Sequence, residues 1–235
     1  MPENIAANLA AIHTRIAAAC ARSGRNPSAV RLVAVSKIKP AADVSAAFAA
    51  GQTVFGESYA QELRDKAEQI SAPVVWHFIG GLQSNKVKYL RGHVALIHSV
   101  DRLSLAEEID KQWGKDGAIA DILLQLNLGA EQTKSGTTAA ALEKLVRQVA
   151  MLPNLRIRGL MALPPWEDDP EAVRRYFREL RELAAGIDAL HIPQVEMNEL
   201  SMGMSHDFEV AIEEGATLVR VGSAIFGERC DGGKR

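Results

Sequence analysis

Leu32-Val33-Ala34-Val35-Ser36-Lys37-Ile38-Lys39-Pro40 reads as a strand followed by an abrupt stop. Four apolar residues in succession suit a strand covered on both faces, as in a parallel sheet, rather than one with a wet face. The residues after the strand separate two architectures. A doubly wound dinucleotide-binding sheet carries a glycine-rich fingerprint directly after its first strand. Here Val35-Ser36-Lys37-Ile38-Lys39-Pro40 stands in that place. A closed barrel needs no such fingerprint, and a barrel is the expected fold.

The pattern continues on both sides of this run. Ile5, Leu9, Ile12 and Ile16 step by four, three and four, marking one face of an amphipathic helix ahead of the first strand. Strand-like segments recur at Arg31–Ser36, Thr53–Gly56, Val74–Ile79, Val94–Ser99, Ile122–Leu128, Arg156–Ala162, Gln194–Leu200 and Leu218–Gly222. Helix patterns between them start near Ala42, Tyr59, Asn85, Leu103, Thr138, Glu171 and Asp207. In Glu171–Ala185 the residues Val173, Tyr176, Phe177, Leu180 and Leu183 share a face, with Asp169 as expected N-cap and Pro170 at the first helical position. Gly51, Gly92, Gly186 and Gly215 are expected at helix ends. Eight strand–helix units fill the 235 residues. The reading is a single (β/α)8 TIM barrel with an extra N-terminal helix, one domain over 1–235, and a short tail at about 229–235.

Bulk properties remove several classes of function. With 29 acidic and 27 basic residues the formal charge is −2, so no field is available to hold a nucleic-acid backbone. No apolar run approaches the roughly 20 residues needed to cross a bilayer, and no signal core leads the chain. The two cysteines, Cys20 and Cys230, make no disulfide framework. A cytoplasmic monomer without membrane partners is expected. The six histidines show no metal-ligand spacing, so no metal is expected.

In such barrels the chemistry gathers at the C-terminal ends of the strands. Lys37 ends the first strand, where partial desolvation frees an amine for imine formation. The seventh strand runs into Leu200-Ser201-Met202-Gly203-Met204-Ser205-His206-Asp207, and the eighth into Arg220-Val221-Gly222-Ser223. Phosphate sites in these barrels recur after strands seven and eight. Ser201 and Ser223 offer hydroxyls there and Gly222 permits close backbone approach; the plainer reading makes Ser205 a helix cap and Gly222 a tight turn. Opposite a strand-one lysine, the arrangement favours a phosphorylated cofactor. Lys134, after the fifth strand, is expected on the same rim.

Leu32-Val33-Ala34-Val35-Ser36-Lys37 with Pro40, then Phe55-Gly56-Glu57, is similar to the pyridoxal phosphate homeostasis protein family. So are His77-Phe78-Ile79-Gly80, Leu82-Gln83-Ser84-Asn85-Lys86, the Ser201–Asp207 run and Val219–Gly227. The resemblance implies a barrel related to the N-terminal domain of alanine racemase and pyridoxal 5'-phosphate as cofactor. It makes Lys37 the aldimine lysine, Ser201, Gly222 and Ser223 the phosphate contacts, and Arg220 the partner of the pyridine nitrogen. A guanidinium there would disfavour protonation of the ring and weaken its use as an electron sink. One departure is Ser58, where the family usually has asparagine.

The resemblance thus implies a carrier without catalytic residues, which keeps the cofactor in homeostasis and supplies it to apo-enzymes. A racemase is the alternative. It would need a second base opposite Lys37, which in racemases comes from a further domain for which this chain has no length; Tyr59 is the nearest candidate. An aldolase using Lys37 without a cofactor ranks last.

Overall fold

The computed structural model describes residues 4–129 and 135–228. Helix α1 (Ile5–Arg22) leads, started by Asn4, whose side chain accepts the Ala7 N–H. The barrel follows as β1 (Arg31–Val35), α2 (Ala41–Ala49), β2 (Val54–Glu57), α3 (Ala60–Gln69), β3 (Val75–Phe78) and β4 (Val94–Val100). It continues through α4 (Leu103–Gly114), β5 (Ala120–Leu126), α5 (Ala139–Val149) and β6 (Leu155–Ala162). It ends with α6 (Arg174–Asp188), β7 (Val195–Ser201), α7 (Phe208–Glu213), β8 (Leu218–Val221) and α8 (Ser223–Phe226). The strands pair in chain order, all parallel, and β8 returns to β1 to close the barrel.

Closure follows from how successive side chains divide between two cores, since neighbours along a strand face opposite ways. Leu32 and Ala34 join the large core under the helices, whereas Val33 belongs to a small separate cluster with Leu96, Leu123, Met161 and Leu218. Ile122 and Leu124 likewise face the helices while Leu123 faces in, and Leu160 and Ala162 flank an inward Met161. An apolar run is therefore a strand with two buried faces, one toward the helical ring and one toward the barrel axis. Helix α1 lies outside this ring, burying Leu9, Ile12 and Ile16 and pairing Arg15 with Glu209 and Arg22 with Glu213 of α7.

Three local expectations change. The segment near Asn85 is a 3-10 helix, Ser84–Tyr89, and α6 is entered through a 3-10 turn, Pro170–Val173. Asp169 caps that turn by accepting the Glu171 N–H at 3.0 Å. Gly186 lies inside α6, two residues short of its end, because the apolar stripe continues to the buried Ile187. Gly51, Gly92 and Gly215 do follow helical segments, each at positive φ.

Candidate functional site at the barrel mouth

The alternation that fills the barrel also aims Lys37. Val33 faces the barrel interior, Val35 lines the mouth cleft, and Lys37 continues that phase into the same cleft, half-buried. It sits in a turn closed by the Lys39 N–H donating to the Ser36 carbonyl at 3.0 Å. Lys39 lines the same cleft and donates to the carbonyls of Phe226 and Glu228, tying this turn to the chain beyond β8.

The facing wall comes from the loops after β7 and β8. Gly203 takes φ +90°, and a Cβ there would lie 2.6 Å from that of Ala211, so only glycine lets the loop fold this tightly against α7. The loop is pinned by the Gly203 carbonyl accepting the Arg220 N–H and by Asp207 accepting the Met204 N–H. Asp207 thus braces the loop rather than capping α7. These bonds turn Ser205 toward the end of β8, where its Oγ accepts the Gly222 N–H and also meets Ser223 Oγ, both at 3.3 Å. Gly222 packs against the end of β1: a Cβ would meet Val35 Cβ and its carbonyl oxygen at 3.2 Å. Ser205, Gly222 and Ser223 all line the cleft opposite Lys37. The Ile225 and Phe226 N–H groups donate to the Gly222 carbonyl, which leaves those of Ser223 and Ala224 without an intrahelical acceptor.

Ser201, expected among the phosphate contacts, is elsewhere. It is fully buried inside the barrel and is not among the residues lining the cleft. The reason is phase: Leu200 and Met202 face the helices, so Ser201 points to the axis. There it accepts from Arg220 and meets His98 Nδ1 at 2.8 Å, and His98 Nε2 meets His77 Nδ1 at 2.9 Å. A guanidinium can only donate, and the continuous arrangement runs inward from it. In the arrangement that uses every donor in turn, Arg220 donates to Ser201, the Ser201 hydroxyl to His98, and His98 Nε2–H to His77. Both histidines must be neutral for this. Burial pushes His77 down to about 3, and burial, followed by the adjacent His77 and then by the charges of Arg220 and Arg31, drives His98 well below its ordinary range.

Arg220 is buried on β8, yet its guanidinium reaches the floor of the cleft, with a second bond to the Ala162 carbonyl at 3.0 Å. Its hydrogen bonds go to neutral acceptors, and burial lowers it to about 10, partly countered by Asp207. It therefore stays charged at neutral pH, a cation held in a low-dielectric floor.

The cleft encloses about 390 Å³, within the range of small-ligand pockets. Trp166, from the loop after β6, stacks on His206 at 4.6 Å and forms part of its wall. A second recess of about 530 Å³ shares Lys37, Ser58, Ile79 and Leu163 with it and extends over Gly80, Gly81 and Lys86. Tyr59 lines this outer recess, 55% exposed, and not the inner cleft. Lys134 lies outside the described residues.

A family model described as the alanine racemase N-terminal domain matches residues 7–230. A pyridoxal phosphate homeostasis protein from Aquifex aeolicus is 45% identical over 227 residues, covering 96% of this chain and 99% of that one. The chain belongs to the pyridoxal phosphate homeostasis protein family. Among solved structures, PipY of Synechococcus elongatus with PLP bound is 38% identical, with a TM-score of 0.83 over 95% of this chain and 100% of its own. An alanine racemase from Clostridium difficile, at 12% identity and TM-score 0.75, covers 97% of this chain and 58% of its own length, and shares the fold alone.

Ser58, the position that departs from the family's usual asparagine, stands between the inner cleft and the outer recess. Sequence reasoning gave no cleft role to Ser205, for which it offered only the plainer alternative of a helix cap, and none to the two buried histidines. A signal for the histidines was present: Trp76-His77-Phe78, Ile97-His98, Leu200-Ser201-Met202 and Val219-Arg220-Val221 each set one polar residue in the inward phase of an apolar strand.

Proposed function

We propose that this chain is a single-domain carrier of pyridoxal 5'-phosphate, which it holds covalently on Lys37 and supplies to apo-enzymes without turning over amino acids. The observation that carries the reading is the juxtaposition of a half-buried lysine with Ser205, Gly222 and Ser223 across one cleft, above a buried arginine. The PLP bound to PipY, at 38% identity, supports the same ligand here.

The donor set fits the group. In this reading the Lys37 amine would hold the cofactor at its aldehyde, while Ser205, Ser223 and the backbone at Gly222 and Ser223 would hold the phosphate. Arg220 would face the ring nitrogen. The cofactor supplies an electron sink for carbanions, and a cationic donor at that nitrogen keeps the sink weak by disfavouring its protonation. Arg220 does so from a fixed position, because Ser201 and the Ala162 carbonyl restrain its guanidinium from behind. We further place the protein in the cytoplasm as a monomer, consistent with a free, buried Cys20 and with the absence, among the described residues, of any helix long and apolar enough to cross a membrane.

The test pairs two assays on the loaded protein. Mixed with an apo-form of a pyridoxal phosphate enzyme, it should restore that enzyme's activity. Incubated with L-alanine and other amino acids in deuterated water, it should give slow or no α-deuterium and no substantial D-enantiomer. Rapid, saturable, Lys37-dependent racemisation would replace the carrier reading with the racemase one.

A further inference from the structure

The turn that presents Lys37 contains a conformational anomaly. Ile38 adopts φ +62°. It is the third residue of a turn closed between Ser36 and Lys39, a place where positive φ ordinarily calls for glycine or asparagine. For a β-branched residue this region is an outlier that costs of order 1–3 kcal/mol and persists only where the surroundings over-determine it. Ile38 is 55% exposed, so its own side-chain packing does not hold it there.

What holds it is a cluster behind the barrel wall. Ser36 directly follows β1 and Glu57 ends β2, both in the outward phase, facing α3 rather than the cleft. Lys66 of α3 is buried and donates to three oxygens at 2.7 Å each: the Ser36 carbonyl, Glu57 Oε1 and Glu62 Oε1. Glu57 Oε1 also accepts the Ser36 hydroxyl at 2.6 Å, and Glu62 Oε1 accepts the Ile38 N–H at 2.7 Å. The turn is thus gripped at the Ser36 hydroxyl, the Ser36 carbonyl and the Ile38 amide, on both sides of Lys37. Glu57 is fully buried with Oε2 unpartnered, an arrangement whose desolvation cost a merely structural wall could avoid with apolar residues.

We propose that Glu57, Lys66 and Glu62 are positioning residues that clamp the Ser36–Lys39 turn in its strained form and so fix where the Lys37 amine enters the cleft. The proposal rests on Lys37 being the attachment site. None of the three lines the cleft, and none is proposed to touch the cofactor. The clamp acts before attachment: an amine held in one direction loses less freedom when it bonds, which favours capture and slows escape.

Glu62 is the part of the clamp that can be removed without emptying the core, since its side chain is 22% exposed whereas that of Glu57 is fully buried. Glu62→Ala deletes the acceptor of the Ile38 N–H. The measurements are the bound-cofactor visible spectrum and the release rate for pyridoxal phosphate, set beside the affinity for pyridoxine phosphate, which has the phosphate and ring but no aldehyde. Glu62→Ala should weaken retention of the aldehyde by roughly tenfold, the loss of one charge-assisted hydrogen bond, and leave pyridoxine phosphate unchanged. Glu62→Gln, which keeps an acceptor oxygen, should recover most of the loss. In an Ile38→Gly background, where the strain is gone, the Glu62→Ala penalty should shrink. Hydrogen exchange at the Ile38 amide should accelerate in Glu62→Ala with or without cofactor. Equal weakening of both ligands, or wild-type release and exchange rates in Glu62→Ala, would overturn the clamp. A wild-type reduced adduct mapping away from Lys37 would overturn the cofactor reading instead, and the Ile38 exchange rate would still decide whether the clamp exists.

Discussion

Three arginines at the N-terminal end of the barrel and one at its mouth are handled in opposite ways. At the N-terminal end the three meet carboxylates of other strands: Arg31 with Glu199, Arg156 with Asp121, Arg158 with Glu196. The Arg156 pair follows directly from register, since Asp121 and Arg156 are opposite one another on β5 and β6. These pairs are partly exposed, and their value is modest and local. At the mouth, Arg220 is buried among neutral acceptors, and Lys37 shares its cleft with serine hydroxyls and backbone N–H groups. The three charges at the N-terminal end are neutralised by the fold itself. At the mouth, an amine, a guanidinium and two serine hydroxyls border one cleft, where an anionic, acceptor-rich ligand would meet them together.

If that contrast is right, the largest effect belongs to Lys37. Borohydride reduction of the loaded wild-type protein should leave the adduct on the peptide containing Lys37. Lys37→Ala should lose that labelled peptide and the greater part of the visible absorbance. A wild-type label on another residue would break the assignment.

Next come the two serines that sequence and structure rank differently. Ser205→Ala removes a cleft hydroxyl, and losing a hydrogen bond to a charged group, worth about 1.5–3 kcal/mol, should weaken pyridoxal phosphate by roughly 10- to 150-fold. Unphosphorylated pyridoxal should hardly notice. Ser201→Ala acts through Arg220 instead, so titration should show similar losses for both ligands. A phosphate-selective loss in Ser201→Ala alone would reverse the roles given to the two serines.

A smaller effect separates the barrel axis from both ends. His77 and His98 are neutral in the fold, with His77 held at about 3. The unfolded chain takes up protons near the ordinary histidine value of about 6.5. Below that pH the unfolded state binds more protons, so stability falls with falling pH, by up to about 1.4 kcal/mol per pH unit for each histidine. For His77 the loss stops growing only as the pH approaches 3. His77→Asn, whose amide oxygen can still accept from His98, should flatten this dependence by one histidine's share in denaturant melts between pH 6.5 and 4.5. An unchanged slope would mean that His77 is already protonated in the fold.

The smallest effect is expected at the far end. Arg156→Ala breaks an exposed pair with Asp121 and should cost under about 1 kcal/mol in chemical denaturation, with cofactor affinity unaltered. A measurable loss of affinity would show that the two ends are coupled and the contrast too sharp.

The order of strands, the closed barrel and the end of the barrel where Lys37, Gly222 and Ser223 meet were legible in the chain alone. Apolar runs such as Leu32–Val35 and the absence of a glycine fingerprint are local properties of the chain, and parallel pairing in chain order follows from them. Only the tertiary structure separated Ser201 from Ser205. Both are serines within one short run, and their roles depend on whether a residue lies within the strand, where alternation sends it to the axis, or in the loop, where Gly203 and Asp207 turn it into the cleft. The same holds for the grip on Lys37. Glu57, Glu62 and Lys66 lie on two different elements, and their meeting point behind Ser36 exists only once β1, β2 and α3 have packed. Side-chain phase is written in the sequence, but which phases converge is decided by closure of the barrel.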